Sequence, residues 1–280
     1  MVYSACVCGA GTMGSGIAQN LAAAGFPTIL YELNPVVLDN AKLQMERNFQ
    51  KMVDKGKMQT DEKAAALDRL VYTSDLKDCM ADIIIEAIVE KLSVKTELFN
   101  QLAAINSPTT RFATNTSSLS VNRIASAISH PERFIGMHFF NPAPIMKLVE
   151  IVLGEQTDED TRLAITALAR SMGKIPVLCK DAPGFIVNRV ARPFYIESLR
   201  LAEETGLDIE TIDTVLEDRG FRMGPFRLMD LIGNDINYAV SVSVYEQMHQ
   251  PERLKPSYIQ KEKVEKGELG KKSGKGYYTY

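Results

Sequence analysis

The feature that most constrains this chain is a glycine-rich loop set between a strand and a helix. The run YSACVC leads directly into Gly9-Ala10-Gly11-Thr12-Met13-Gly14-Ser15-Gly16, and IAQNLAAAG continues as a helix. A G-x-G-x-x-G alone is a weak signal. Here a strand precedes it, a helix follows, and Glu32 ends the next strand 18 residues after Gly14. Together these specify a dinucleotide-binding βαβ unit. Gly9 permits the tight turn, Gly11 lets the backbone approach a pyrophosphate, and Gly14 allows close helix–strand packing. The helix N-terminus, at Thr12 and Met13, then offers unpaired N–H groups to phosphates. Glu32 is placed to accept from ribose hydroxyls and to repel a 2′-phosphate. No Arg or Lys follows it until Lys42, so NAD is expected rather than NADP. The bland alternative is a glycine turn that only packs, followed by a solvated strand-end acid.

Beyond the loop the alternation of strand and helix continues. FPTILYE, RLVYTS, DIIIEAI and RFATNT read as further strands, mostly as continuous apolar runs, as parallel strands covered on both faces require. Helical patterns such as 36–54 and 93–105 lie between them. The expected fold is therefore α/β: a Rossmann-type, doubly wound, mostly parallel sheet. After Asp181-Ala182-Pro183-Gly184 the strand signals almost vanish, and 185–204, 209–218, 226–246 and 256–266 look helical. Asp208 suits an N-cap, with an apolar stripe of Ile209, Ile212, Val215 and Leu216 behind it. These patterns predict a nucleotide-binding domain over 1–182 and a smaller all-helical domain over 183–280.

A second motif carries chemistry. In HFFNPAPIMKLVE, His138 and Glu150 stand at equal distances on either side of Pro144. RFIGMH before it and KLVEIVL after it read as short strands that finish the sheet. NPAP cannot continue a strand, because proline fixes φ and lacks a ladder N–H. A chain reversal there would set His138 opposite Glu150, where a carboxylate holds an imidazole in one tautomer and stabilises its protonated form. His138 taken alone could equally be a satisfied core histidine.

Composition excludes several classes. Hydrophobic content of 45% and charged content of 24% are ordinary for a globular protein, and a formal charge of −3 gives no reason to expect nucleic acid or an anionic membrane as partner. No apolar run approaches the ~18 residues of a membrane span; the aliphatic cluster at 83–89 is interrupted by Glu86. Cys6 and Cys8 alternate in one strand and read as small core residues, with metal binding the lesser reading of a C-x-C pair. The four cysteines suggest no disulfide framework. With no visible signal peptide, a cytoplasmic location is expected, or the mitochondrial matrix if a presequence has been removed.

With both motifs in hand, the chain resembles the L-3-hydroxyacyl-CoA dehydrogenases, the 3-hydroxybutyryl-CoA dehydrogenases among them. The likeness runs nearly end to end through GAGTMGSGIA, EAIVEKLSVKTELF, NTSSLS, HFFNPAPIMKLVE, PGFIVNR, MGPFRLMDLIG and GKKSGKGYYTY. It implies His138 as general base, Glu150 as its orienting partner, and Ser117 and Asn188 at the reacting oxygen and substrate. It also implies Glu90, Lys95, Asn141 and Lys272 near the nicotinamide half of the cofactor, with Lys95 and Lys272 able to offset phosphate charge. A homodimer, built mainly through the helical domain, is part of the same expectation.

Each assignment has a blander counterpart. Ser117 could only cap a helix beginning at 119–121, Asn188 could be a polar first-turn residue, and Glu90 and Lys95 could be solvated helix charges. Arg47, Lys51 and Lys55 recur every four residues and form a basic stripe. As a solvated face it is unremarkable, but Lys51 and Lys55 are candidates for coenzyme A phosphates. The resemblance aligns a family serine with Asn48 and a proline with Arg222, two departures whose effect the sequence leaves open. SGKG at 273–276 lacks the upstream glycine of a P-loop.

The activity implied is reversible NAD-dependent oxidation of a short-chain (S)-3-hydroxyacyl-CoA, such as 3-hydroxybutyryl-CoA, in fatty-acid or butyrate metabolism. Two rival readings remain open. One is a dehydrogenase of free hydroxy acids resembling L-gulonate dehydrogenase, and the other is a non-catalytic nicotinamide-binding structural protein. FFNPAPIMK and the basic stripe favour the thioester. No metal is expected.

Overall fold

The computed structural model describes residues 4–280; Tyr3, with which the first strand is expected to open, lies outside them. The chain divides into two compact units, one closing at Asp181 and the other opening at Ala182.

The first unit runs β1 (Ala5–Cys8), α1 (Thr12–Ala23), β2 (Thr28–Tyr31), α2 (Pro35–Asp54), α3 (Thr60–Asp68), β3 (Leu70–Thr73), β4 (Ile83–Glu86), α4 (Leu92–Ile105) and β5 (Arg111–Thr114). It continues with α5 (Val121–Ala125), β6 (Phe134–Phe139), β7 (Leu148–Leu153), α6 (Glu159–Ser171) and β8 (Ile175–Lys180). Among the described residues these strands form one sheet in the order β3-β2-β1-β4-β5-β6-β7-β8. Every pairing is parallel except β6 with β7, which is antiparallel. The strand order reverses between β1 and β4, so the Gly9 loop opens at the crevice where such sheets take ligands.

The continuous apolar strands are central, as their patterning demands. All four residues of β1 and of β4 are buried. Ile83, Ile84 and Ile85 are fully enclosed, each contributing roughly 1.5–3 kcal/mol through burial. Helix starts are set by local chemistry. Asn34 accepts from the Val36 N–H ahead of Pro35 at α2, and Asp158 accepts from the Thr161 N–H at α6. Glu62 closes a capping box with Gln59 at α3.

The end of the sheet departs from expectation. β7 does not finish it, because β8 pairs with β7 in parallel from Leu148–Ile175 to Leu153–Lys180. Pro176 hides that strand in the sequence. It is tolerated because β8 is an edge strand, where a missing ladder N–H faces no further neighbour.

The second unit contains α7 (Val187–Thr205), α8 (Ile209–Asp218), α9 (Pro225–Ile232), α10 (Asn234–Gln247) and α11 (Tyr258–Glu265). The helix expected over 226–246 is two helices. Gly233, at φ 105° and ψ 123°, ends α9 and begins α10; that backbone lies outside the range of an α-helix and suits glycine. Asp208 does cap α8, accepting from the Thr211 N–H. Of the expected stripe, Ile212 is buried with Ile209 and Leu216 against it, whereas Val215 is 54% exposed. Two buried carboxylates tie the C-terminal tail down. Asp230 accepts from the N–H groups of Tyr277 and Tyr278, and Asp213 from the Tyr278 hydroxyl. Among the described residues no helix is long and apolar enough to cross a membrane.

Candidate active site

The Gly9 loop has the geometry of a phosphate cradle. Gly9 sits at φ 103°, and a Cβ there would stand 2.7 Å from the Ala87 carbonyl oxygen. A Cβ on Gly14 would meet the Gly9 carbonyl oxygen at 1.8 Å, whereas one on Gly11 would meet nothing within 4 Å. Gly9 and Gly14 are thus required by packing, while Gly11 borders open space. Gly11 is also the N-cap of α1 and provides no side-chain cap. The first-turn N–H groups, Thr12, Met13 and Gly14 among them, therefore point where an anion is favoured. Glu32 reaches back to the loop, accepting from the Ala10 N–H at 3.0 Å and the Asn34 N–H at 3.1 Å. The residues present fit a dinucleotide.

His138 and Glu150 are directly paired residues of β6 and β7, so the reversal at NPAP brings them face to face. Imidazole Nδ1 lies 2.7 Å from Glu150 Oε2, and both side chains are almost wholly buried. An ionised carboxylate can only accept, so Nδ1 carries the hydrogen and Nε2 keeps its lone pair. Ser117 Oγ is 2.9 Å from Nε2, placing a hydroxyl at the atom that would exchange a proton. Phe140, its ring centroid 4.7 Å from that of the imidazole, covers the ring. Ser117 is not the helix cap of α5, because Ser120 takes that part by accepting from the Arg123 N–H.

The loop carrying Ser117 is organised by Glu90. Its Oε1 accepts from the N–H groups of Ser117 and Ser118 at 3.0 and 3.1 Å, from Ser118 Oγ at 3.0 Å, and from Thr116 Oγ1. Behind it, Lys95 Nζ lies 3.1 Å from Glu90 Oε2 and 2.5 Å from Glu86 Oε1. Lys95 is no solvated helix charge: it is fully buried and shared between two carboxylates, so its ammonium holds Glu90 in place. Burial alone would raise the Glu90 carboxyl, but Lys95, then Thr116 and Ser118, more than offset it and hold it below the ordinary carboxylate range. Burial pushes Glu86 upward against the pull of Lys95, Thr114 and the Ile88 N–H.

Glu86, Thr114 and Thr116 belong to this network and are not singled out by the sequence patterns. Glu86 does leave a signal, since a lone acid inside IIIEAIV must find a buried partner. Lys174 escapes sequence reasoning as well. Its ammonium donates to the carbonyls of Ala143 at 2.5 Å and Met146 at 2.9 Å, fastening the NPAP turn, and Asn20 donates to the same Ala143 carbonyl.

A cavity of about 990 Å³ opens beside the loop, between α1, α2 and the turn from Asn141 to Ile145. Lys51, Lys55 and Lys57 line it together with Asn48 and Asn141, while Arg47 does not. Asn48 donates to Gln19 Oε1 and accepts from Gln44, so this side chain is held on the cavity wall. In the second unit, Asn188 lies in the first turn of α7, where its carbonyl accepts from Arg192. Lys272 is paired there with Asp235 at 2.6 Å.

Residues 4–182 match the family model "3-hydroxyacyl-CoA dehydrogenase, NAD binding domain", and residues 184–280 match "3-hydroxyacyl-CoA dehydrogenase, C-terminal domain". This chain belongs to the 3-hydroxyacyl-CoA dehydrogenase family. It is 45% identical over its whole length to a 3-hydroxyadipyl-CoA dehydrogenase of Escherichia coli K12, of which it spans 59%. It is 39% identical to a probable 3-hydroxybutyryl-CoA dehydrogenase of Deinococcus radiodurans, with 98% of this chain and 99% of that protein covered. The crystal structure of an (S)-3-hydroxybutyryl-CoA dehydrogenase from Ralstonia eutropha superposes with a TM-score of 0.95 at 34% identity, covering 100% of this chain and 99% of that one. Prephenate dehydrogenase of A. aeolicus, at 14% identity and a TM-score of 0.52, shares the fold alone.

Proposed function

We propose that this member of the 3-hydroxyacyl-CoA dehydrogenase family interconverts a short-chain (S)-3-hydroxyacyl-CoA and its 3-oxoacyl-CoA, with NAD in preference to NADP. The observation that carries the reading is the chain of contacts from Glu150 through His138 to Ser117, at 2.7 and 2.9 Å. Bound NAD supplies the hydride acceptor.

The residues of the chain handle the proton. His138 Nε2, the ring nitrogen that meets Ser117 Oγ, takes the hydroxyl proton of the substrate as a general base. Glu150 accepts from Nδ1–H throughout and offsets the positive charge that the imidazole gains. Ser117, already at hydrogen-bond distance from Nε2, donates to the substrate oxygen as that oxygen gains negative character. Glu90 keeps Ser117 at that point through the two backbone N–H groups it accepts. In the reductive direction His138 returns the proton as an acid. Asn188 is assigned to the substrate oxygen, and Asn141 and Lys272 to the nicotinamide half, on the family resemblance.

The first-turn N–H groups of α1 would hold the pyrophosphate, and Glu32 the ribose hydroxyls. A carboxylate at that place disfavours a 2′-phosphate, which supports NAD over NADP. Lys51 and Lys55, on the cavity wall, would receive coenzyme A phosphates. The unit from Ala182 onward leaves Val190, Leu231 and Ile236 exposed, which supports a homodimer formed through it.

The deciding experiment is reduction of 3-oxoacyl-CoAs of increasing length, with NADH and NADPH in parallel and free acetoacetate as control. The reading expects turnover of acetoacetyl-CoA with NADH. Faster turnover of free acetoacetate would move the assignment to a hydroxy-acid dehydrogenase, and no turnover of either would leave a nicotinamide-binding structural protein. Because one relative is a 3-hydroxyadipyl-CoA dehydrogenase, 3-oxoadipyl-CoA belongs in the series. A preference for it would replace the short-chain substrate with a dicarboxylic one.

A further inference from the structure

Three sulfurs meet directly beneath the cofactor loop. Cys6 and Cys8 lie on one face of β1, and Cys79 follows the short 3-10 turn Leu76–Asp78. All three side chains are fully buried and free of disulfides. Their sulfur atoms lie within 4.8 Å of one another, with Cys6 and Cys8 at 4.0 Å. The sequence brings only the first two together. The third arrives through the fold.

We propose that Cys6, Cys8 and Cys79 form a three-coordinate thiolate site for one soft monovalent metal ion, copper(I).

The spacing is the first reason. A disulfide would need sulfurs about 2.05 Å apart, and two residues alternating on one strand face cannot close to that distance. For a metal–thiolate bond of about 2.3 Å, a trigonal plane requires sulfurs about 4.0 Å apart, which is the spacing found for Cys6 and Cys8. The second reason is the donor set. The cluster holds three sulfurs and no histidine or carboxylate, whereas zinc takes four ligands in structural sites. Soft thiolates without a fourth donor select copper(I). Binding releases the thiol protons to solvent.

The site also has a consequence for its surroundings. Cys8 immediately precedes Gly9, and its partners across the sheet are Tyr31, next to Glu32, and Glu86. A bound ion would therefore brace β1 against the turn after β3 at the base of the loop. This consequence rests on the proposed cofactor site; the metal site itself does not.

The test is an anaerobic titration of the reduced full chain with copper(I) buffered by a chromophoric chelator, followed by X-ray absorption spectroscopy. The proposal expects one copper per chain, three sulfur scatterers near about 2.3 Å, and a thermal midpoint that rises on loading. Cys79→Ser should lower copper retention at least about tenfold while Cys179→Ser leaves it unchanged. If Cys79→Ser fails to fold, Cys6→Ala and the wild-type spectrum decide. No retention by the wild type would mean that the thiols only pack, and would overturn the proposal. So would copper bound by fewer than three sulfurs, or retention abolished by Cys179→Ser. Zinc retained as tightly, with a nitrogen or oxygen scatterer, would overturn the choice of copper. Failure here leaves the dehydrogenase reading intact, because that reading is judged on turnover of acetoacetyl-CoA.

Discussion

Two buried acid–base contacts at the same sheet contrast with each other. Lys95 with Glu86 and Glu90 lies behind β4, and His138 with Glu150 lies between β6 and β7. Both are short, at 2.5 and 2.7 Å, and both are nearly or fully withdrawn from solvent. The first is closed: Glu86 also accepts from Thr114 Oγ1 and the Ile88 N–H, each at 2.7 Å. Its members are bonded to one another and to the strands beside them. The second is open at one end in the proposed function, where the imidazole meets a hydroxyl at Nε2 and exchanges a proton there. Burial with saturation makes a brace, and the proposed function makes the other pair a proton relay. Glu90 links the two, since Lys95 fixes it and it in turn fixes the loop carrying Ser117.

Substitution can break this contrast at either end. The largest expected effect is that of His138→Ala, which should lower kcat on acetoacetyl-CoA by about 10³-fold while NADH still binds, as read by cofactor fluorescence. Near-normal turnover would mean that the open pair is not a relay. Lys95→Met leaves the buried Glu86 carboxylate without a cation and should cost about 3–5 kcal/mol in urea unfolding. Adding Glu86→Gln should recover part of that loss. An unchanged midpoint for Lys95→Met would show that the closed pair braces nothing.

Smaller effects sharpen the comparison. Glu150→Gln should lower kcat about 10²-fold, and in combination with His138→Ala it should cost nothing further, because the two act as a unit. Additive losses would separate them. Ser117→Ala should lower kcat about tenfold with KM little changed, since one donor to the developing charge is removed; a loss confined to KM would make Ser117 a binding group only. The smallest effect concerns acid. Glu90 is held below its ordinary range in the folded state, so its contribution is fully present above the unfolded carboxylate value of about 4.3. It is lost as pH falls through the lower folded value. Glu90→Gln should flatten unfolding midpoints in that window, and an unaltered acid profile would count against the brace.

How much can be read in advance depends on sequence separation. The Gly9 loop is contiguous, and its chemistry needs only a strand before it and a helix after it. His138 and Glu150 are 12 residues apart with prolines between them, so one reversal determines their register. Glu90 and Ser117 are 27 apart and come from different crossovers of the sheet; no local pattern encodes their contact. Lys95 misleads for that reason. On a helix it looks like a solvated cation, and only the packing of α4 against β4 turns it inward. β8 escapes notice because Pro176 argues against a strand unless the strand is known to be an edge. Gly233 reads as tolerated within a helix, where its positive φ divides two.

The doubly wound sheet, the cofactor cradle and the identity of the histidine–glutamate pair are all legible in the linear chain. Each is written in neighbouring residues, where backbone period, glycine freedom and proline restriction act locally. Three-dimensional packing was needed to make Glu90 a brace for Ser117, to seal Lys95 between two acids, and to bring Cys79 to Cys6 and Cys8. Those contacts arise when strands and helices distant in the chain are set side by side, and burial then decides which charges must find one another.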